Sequence, residues 1–330
     1  MGASPSRAVL VTGAEGFIGS GVVRHLVEAD EAVHASVYDE TMLWRLHDVR
    51  SRIVLHRTDI TDAKAVRRLV REVRPRRLIH LAAAVDTRRD AALFDRMMAV
   101  NVQGTRHLLD ALRESGAACA VFAGTTEEYG ESPVPFREAQ REMPVSPYSW
   151  SKVAAAHLVQ VYHRLWNVPA VVIRFSVTYG PGQENDLFIP ALIRACLTGQ
   201  ALPMTPGEQT REFNYVDDIA RGFLAASAVP QAIGRVMNLG SGQEYALRDV
   251  ARLIVDLTGA AVGPRIGALP YRAAESMRQF CSCEDAERLL GWRPQVELTE
   301  GLKRTIAWFQ HYLNMGSGTR EVEASNLTGD

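Results

Sequence analysis

Apolar residues follow two rhythms along this chain. Short unbroken runs at 8–12 (AVLVT), 32–38, 53–56, 78–84 (LIHLAAA), 119–125 and 170–174 are rich in valine, leucine, isoleucine and alanine, as in strands covered on both faces. Between them, apolar positions return every three or four residues, the period of a helix with one buried stripe. The first such helix covers roughly 20–29, and Pro147 opens another that alanine and leucine carry on to 166. Strands alternating with helices through residue 175 predict an α/β fold built on a doubly wound, mostly parallel sheet, with its chemistry at the carboxyl ends of the strands.

Past residue 175 the alternation breaks. A helix is expected at 188–198, a returning strand at 236–240, and helices at 247–258 and 284–290. The expected division is a dinucleotide-binding domain over 1–175 that takes back roughly 211–240, with a smaller interleaved α+β lobe from 176–210 and 241–314. The polar, Gly/Ser-rich stretch 315–330 reads as a disordered tail.

Composition narrows the classes. The 330 residues are 47% hydrophobic and 23% charged with a net charge of −1, ordinary for a soluble enzyme and without an overall pull toward nucleic acid or membrane. Arg67, Arg68, Arg71, Arg74, Arg76 and Arg77 form the one basic run, read as a solvated helix face because Asp62 and Glu72 flank it. Cys119, Cys196, Cys281 and Cys283 have no spacing for a metal or a disulfide framework, which suits a reducing cytoplasm. No run approaches a membrane span, and no signal peptide is expected. The myristoylation-like start at Gly2 and the Asn326-Leu327-Thr328 sequon are read as incidental.

Three stretches carry candidate chemistry. Thr12 ends the first strand, and Gly13-x-x-Gly16-x-x-Gly19 leads into a helix; this Rossmann-type order lets a pyrophosphate approach the backbone and meet free helix N–H groups. Tyr148 and Lys152, four apart on a helix, share a face, and an ammonium beside a phenol is expected to lower the phenol pKa. Gly124-Thr125-Thr126-Glu127-Glu128-Tyr129-Gly130 ends the fifth strand on the same rim, with Glu128 read by default as a solvated carboxylate. Asp39, near the end of the second strand, is a candidate for a ribose hydroxyl, but it falls about two positions late and leaves NAD against NADP open. Asp62 is placed to cap the helix from Ala63.

The glycine loop in the form TGxxGFxG resembles the extended branch of the short-chain dehydrogenase/reductase superfamily. With NVxGT at 101–105, YGPGQ at 179–183, TREFxYVDD at 210–218 and LLGWRP at 289–294, residues 7–313 resemble its nucleotide-sugar epimerase/dehydratase group. The resemblance implies that Thr12, Gly13, Gly16, Phe17, Ile18 and Gly19 hold NAD or NADP. It implies that Asp59 caps the adenine amino group, that Ile60 covers the ring, and that Leu81, Ala82 and Ala83 let the cofactor lie against the backbone. Tyr148 would carry the proton, Lys152 would tune it and grip the nicotinamide ribose, and Thr125 would bond the sugar oxygen. Thr126, Ser176, Arg211 and Arg272 would contact a nucleotide sugar, the two arginines through its diphosphate, with 185–194 lining the nucleoside pocket.

Glu127 is the informative position. In the group it occurs in 4,6-dehydratases, where it removes the carbon 5 proton, in decarboxylases and in some 4-ketoreductases. GTTEEYG looks most like the GDP-6-deoxy-4-ketohexose reductases, so reduction of an NDP-4-keto-6-deoxyhexose at carbon 4 is expected. The alternatives are a 4,6-dehydratase, a 4-epimerase, a decarboxylase or, remotely, a non-catalytic NAD(P)-binding regulator. The resemblance also implies a homodimer through a four-helix bundle, with Ala154, Ala155, Ala156, Leu158 and Val159 on one helix and Met97, Val100, Leu108 and Leu109 on the other.

Overall fold

The computed structural model describes residues 8–183, 186–272 and 275–314. The expected tail, the start of the chain, the sequon and Asn185 lie outside the described residues. In chain order the strands are β1 (Ala8–Thr12), β2 (Ala32–Val37), β3 (Ile53–Arg57), β4 (Arg77–His80), β5 (Cys119–Ala123), β6 (Ala170–Phe175), β7 (Val177–Tyr179), β8 (Pro203–Met204), β9 (Thr210–Tyr215), β10 (Val236–Leu239), β11 (Glu244–Ala246), β12 (Arg265–Ile266) and β13 (Arg278–Gln279). The helices are α1 (Phe17–Glu28), α2 (Ala63–Val73), α3 (Phe94–Met97), α4 (Gly104–Leu112), α5 (Pro147–Trp166), α6 (Phe188–Leu197), α7 (Val216–Ala228), α8 (Leu247–Thr258), α9 (Glu284–Leu290) and α10 (Leu298–Asn314).

Seven strands form one parallel sheet in the order β10-β6-β5-β4-β1-β2-β3. The pleat sends Val9 and Val11 to one face, where they pack with Val22, Val23 and Phe223. Leu10 goes to the other face, among Leu69, Leu108, Leu112 and Val159. Both faces are therefore covered by helices, which is why every residue of β1 is buried. β10 returns to the sheet from beyond residue 175, as its apolar run predicts.

The smaller lobe is built on β9, which pairs antiparallel with β11 and parallel with β7 and β13. Its core holds Tyr179, Ile193, Phe213, Ile254, Leu302 and Phe309. Three features depart from the expectations. Residues Glu40–Arg52 wind as 3-10 turns and set Trp44 against Trp308 of α10, ring centres 6.1 Å apart. Asn101 lies in a π-helical segment, Met98–Gln103, that joins α3 to α4. Arg77 leaves the exposed basic face of α2: it sits in β4, paired with Glu31 and hydrogen-bonded to Ser227.

Candidate active site

The glycine loop closes on itself. Gly13 has φ +68°, and a Cβ there would sit 2.5 Å from the Ala82 nitrogen; one on Gly19 would sit 2.0 Å from the Gly13 oxygen. Gly16 caps α1 with no side chain bonded to the first turn, so the amides of Phe17, Ile18 and Gly19 face outward unclaimed, as an anion site requires. Beneath the loop, Thr12 Oγ1 and His80 Nδ1 lie 2.7 Å apart, and burial holds the His80 imidazole neutral with its pKa down at about 3. The close approach of Ala82 to Gly13 leaves a backbone floor at residues 81–83. These residues fit a dinucleotide.

Next to the loop, a cavity of about 500 Å³ is lined by Tyr38, Asp39, Glu40, Thr41, Arg57 and Asp59. Asp39 accepts hydrogen bonds from the Thr41 amide and hydroxyl, and Asp59 accepts from those of Thr61. Ile60 is buried against Gly104. The sequence reading passed over Glu15. Its Oε1 accepts the Tyr38 and Asp39 amides at 2.7 and 3.2 Å, while its Oε2 is buried with no partner. The signal was an acid placed inside the glycine loop, directly before Gly16.

At the carboxyl end of β5, Thr125 caps a short 3-10 turn. Its hydroxyl accepts the Glu127 amide at 3.2 Å and acts on the neighbouring Tyr148 phenol in the direction that favours ionisation. Ser146 caps α5 and presents Tyr148 in its first turn, with Lys152 one turn on. Both are buried. The expected fall in the phenol pKa is not what the packing produces. Burial, with Glu127 and Glu128 nearby, raises the Tyr148 pKa well above its ordinary value. The Lys152 ammonium donates to the Ala123 carbonyl at 2.7 Å, and burial lowers its pKa to about 8.

Glu127 and Glu128 part company. Glu127 is half-buried, and its charge acts on both Tyr148 of α5 and Arg211 of β9. Glu128, expected in solvent, is fully buried and paired to Arg174 of β6 at 2.7 Å. A turn this tight sends neighbouring side chains in different directions, which the spelling of the motif cannot reveal.

On the lobe side, Arg211 and Arg272 converge through a third residue, Glu275, which pairs with both. Ser176 does not reach the cleft: its hydroxyl donates to Glu212, a fully buried carboxylate on β9. Strand alternation exposes its neighbour Val177 instead. Thr126 is buried beside Thr125. Among the described residues no cluster of ligating side chains could hold a metal, and no helix is long and apolar enough to cross a membrane.

A parallel Rossmann-type sheet, a glycine loop opening α1 and a buried Thr-Tyr-Lys set on one rim define an NAD(P)-dependent enzyme of the extended short-chain dehydrogenase/reductase type. Residues 9–240 match the model of the NAD dependent epimerase/dehydratase family, and the chain belongs to that family. It is similar to dTDP-glucose 4,6-dehydratase 1 of Escherichia coli K12, 32% identical with 91% of this chain and 92% of the relative covered. A UDP-glucuronate 4-epimerase of Thermodesulfobacterium geofontis is 31% identical, with 93% and 97% covered. Among solved structures, the UDP-glucuronic acid 4-epimerase of Bacillus cereus in complex with UDP-glucuronic acid and NAD superposes with a TM-score of 0.86 at 27% identity, covering 92% of this chain and 99% of that one.

Proposed function

We propose that the protein dehydrates an NDP-hexose to the NDP-4-keto-6-deoxyhexose. The observation that carries this reading is Glu127, a half-buried carboxylate whose charge acts on Tyr148 and Arg211. NAD, which Gly13, Gly16, Gly19 and Lys152 would hold, would supply a hydride acceptor and donor that ends the cycle in its starting state. Tyr148 takes the proton from the carbon 4 hydroxyl, aided by Thr125, which favours ionisation of the phenol, and Lys152 supplies positive charge to the phenolate that starts the step. Glu127 removes the carbon 5 proton, now acidic beside the carbonyl, and delivers it to the departing carbon 6 hydroxyl, which leaves as water. Carbon 5 regains a proton as carbon 6 is reduced; the proton that Tyr148 took from the carbon 4 hydroxyl balances it, which returns both side chains to their starting state. Arg211 and Arg272 hold the diphosphate.

The 4-ketoreductase reading rests on the paired glutamates of GTTEEYG, and burial of Glu128 leaves only Glu127 to meet a substrate. That weakens the reductase and leaves the dehydratase as the better-supported reaction. The test uses NDP-hexose deuterated at carbon 4. Dehydration moves the label to carbon 6 without consuming reduced cofactor. Label kept at carbon 4 with inverted configuration would instead identify an epimerase, and NAD(P)H loss on a 4-keto sugar a reductase.

The acidic lining of the cavity near Asp39 supports NAD over NADP, whose 2′-phosphate would meet Glu15, Asp39 and Glu40. The homodimer expectation needs a different face. Met97, Leu108, Leu109, Ala155, Ala156 and Val159 are buried within the chain itself, whereas Phe94, Trp150, Val161, Leu165 and Trp166 are exposed and are the side chains we propose the two-fold contact covers.

A further inference from the structure

The second glutamate of the motif has no role in the steps above, yet it is the most completely buried acid on the rim. Its Oε1 accepts the Thr125 amide at 2.8 Å and its Oε2 accepts Arg174 Nε at 2.7 Å. Arg174 is itself buried, lies over the Tyr129 ring at 4.7 Å, and is held from the far side by Glu142 at 2.6 Å. Tyr129 in turn donates to Asn238 of β10 at 2.8 Å. Room for the carboxylate exists because residue 124 is glycine: a Cβ there would sit 2.7 Å from Glu128 Oε1 and 3.0 Å from Arg174 Cγ. A buried charge pair is a costly element to keep, and an apolar pair would serve folding as well.

We propose that Glu128 is a positioning residue for the reacting pair: clamped by Arg174, it fixes Thr125 through its amide and sets a carboxylate paired to Arg174 near Lys152. The inference rests on Tyr148 being the group that moves the proton. The geometry explains how Thr125 keeps an extended backbone while its hydroxyl accepts the Glu127 amide and its own amide is held by Glu128. The charge has opposite uses at the two partners. It opposes ionisation of Tyr148 and favours the ammonium of Lys152, which burial otherwise disfavours. The other groups facing this pair are Glu127 on the same turn and neutral His80 on β4; Arg174, Glu142 and Glu138 stand behind Glu128.

The test is the pH profile of kcat/KM with saturating dinucleotide in Glu128→Gln, which keeps the shape and removes the charge. The Lys152 ammonium then loses a stabilising charge, so the falling limb it sets moves to lower pH by about half a unit, roughly a threefold rate difference at fixed pH on that limb. A folded E128Q protein with that limb unmoved overturns the proposal. If the E128Q protein fails to fold because Arg174 has lost its partner, Glu128→Asp keeps the charge and withdraws the carboxylate from the Thr125 amide, and must lower kcat severalfold with the falling limb left in place; an unchanged kcat there overturns it equally. Tyr148→Phe separates the two readings. Full turnover in Y148F removes the role of Tyr148, whereas an inactive Y148F with an unshifted E128Q profile removes only that of Glu128.

Discussion

The two walls of the cleft are made of different material. The sheet side, where we propose the dinucleotide lies, offers backbone: glycines without room for a Cβ, amides at the start of α1, and the floor at residues 81–83. The lobe side, where we propose the substrate binds, offers long side chains from separate segments, Arg211 of β9 and Arg272 beyond β12, joined by Glu275. A backbone surface is set by a local run of residues and serves any dinucleotide. A side-chain surface is assembled over distance and can be changed one residue at a time, which is how one family serves several sugars and reactions.

Substitutions on the sheet side should therefore act through space and those on the lobe side through charge. The largest effect is expected from Gly19→Ala, whose Cβ collides with the Gly13 carbonyl: dinucleotide affinity measured by calorimetric titration should fall on the order of a hundredfold or more. Tyr148→Phe should lower kcat by roughly a hundredfold while leaving dinucleotide affinity nearly unchanged. If affinity falls with it, the tyrosine belongs to the binding wall more than to the chemistry. Arg211→Met should raise KM for the NDP-sugar about thirtyfold or more, since it leaves Glu275 without its buried partner, with no change in dinucleotide affinity. Glu15→Gln with Asp39→Asn should narrow the preference for NAD over NADP on the order of tenfold, read from the two Kd values. The smallest effect concerns pH. Lys152 carries its charge below about pH 8 and loses it above, so kcat should decline several-fold as the pH rises beyond that point. A profile that stays flat well above that pH would show that the ammonium is dispensable.

Much of the sheet side could be read from the sequence. Valine-rich runs marked six strands of the sheet and the returning β10, with ends shifted by a few residues where the apolar run continued into the turn, as at 78–84 against Arg77–His80. The glycine spacing and the pairing of Tyr148 with Lys152 are local, and local geometry follows local sequence. Glu15 escaped because its importance comes from reaching the Tyr38 and Asp39 amides on the next strand. Ser176 was misplaced because one step along a strand exchanges inward for outward, and only the pairing of β7 with β9 fixes which residue faces Glu212.

The order of residues was enough for the doubly wound sheet, the glycine turn and the placement of Thr125, Tyr148 and Lys152 on one rim, because each follows from a period or a spacing within about one helix–strand unit. What those groups feel came only with packing. Burial pushed the Tyr148 phenol up, where adjacency to lysine alone predicted a fall, and the arrival of Arg174 from β6 turned Glu128 from a surface carboxylate into a buried ion pair. Glu275 came between two arginines that lie 61 positions apart in the chain (272 less 211). Desolvation and ion pairing depend on which segments meet, and that is a property of the packed chain, not of any stretch within it.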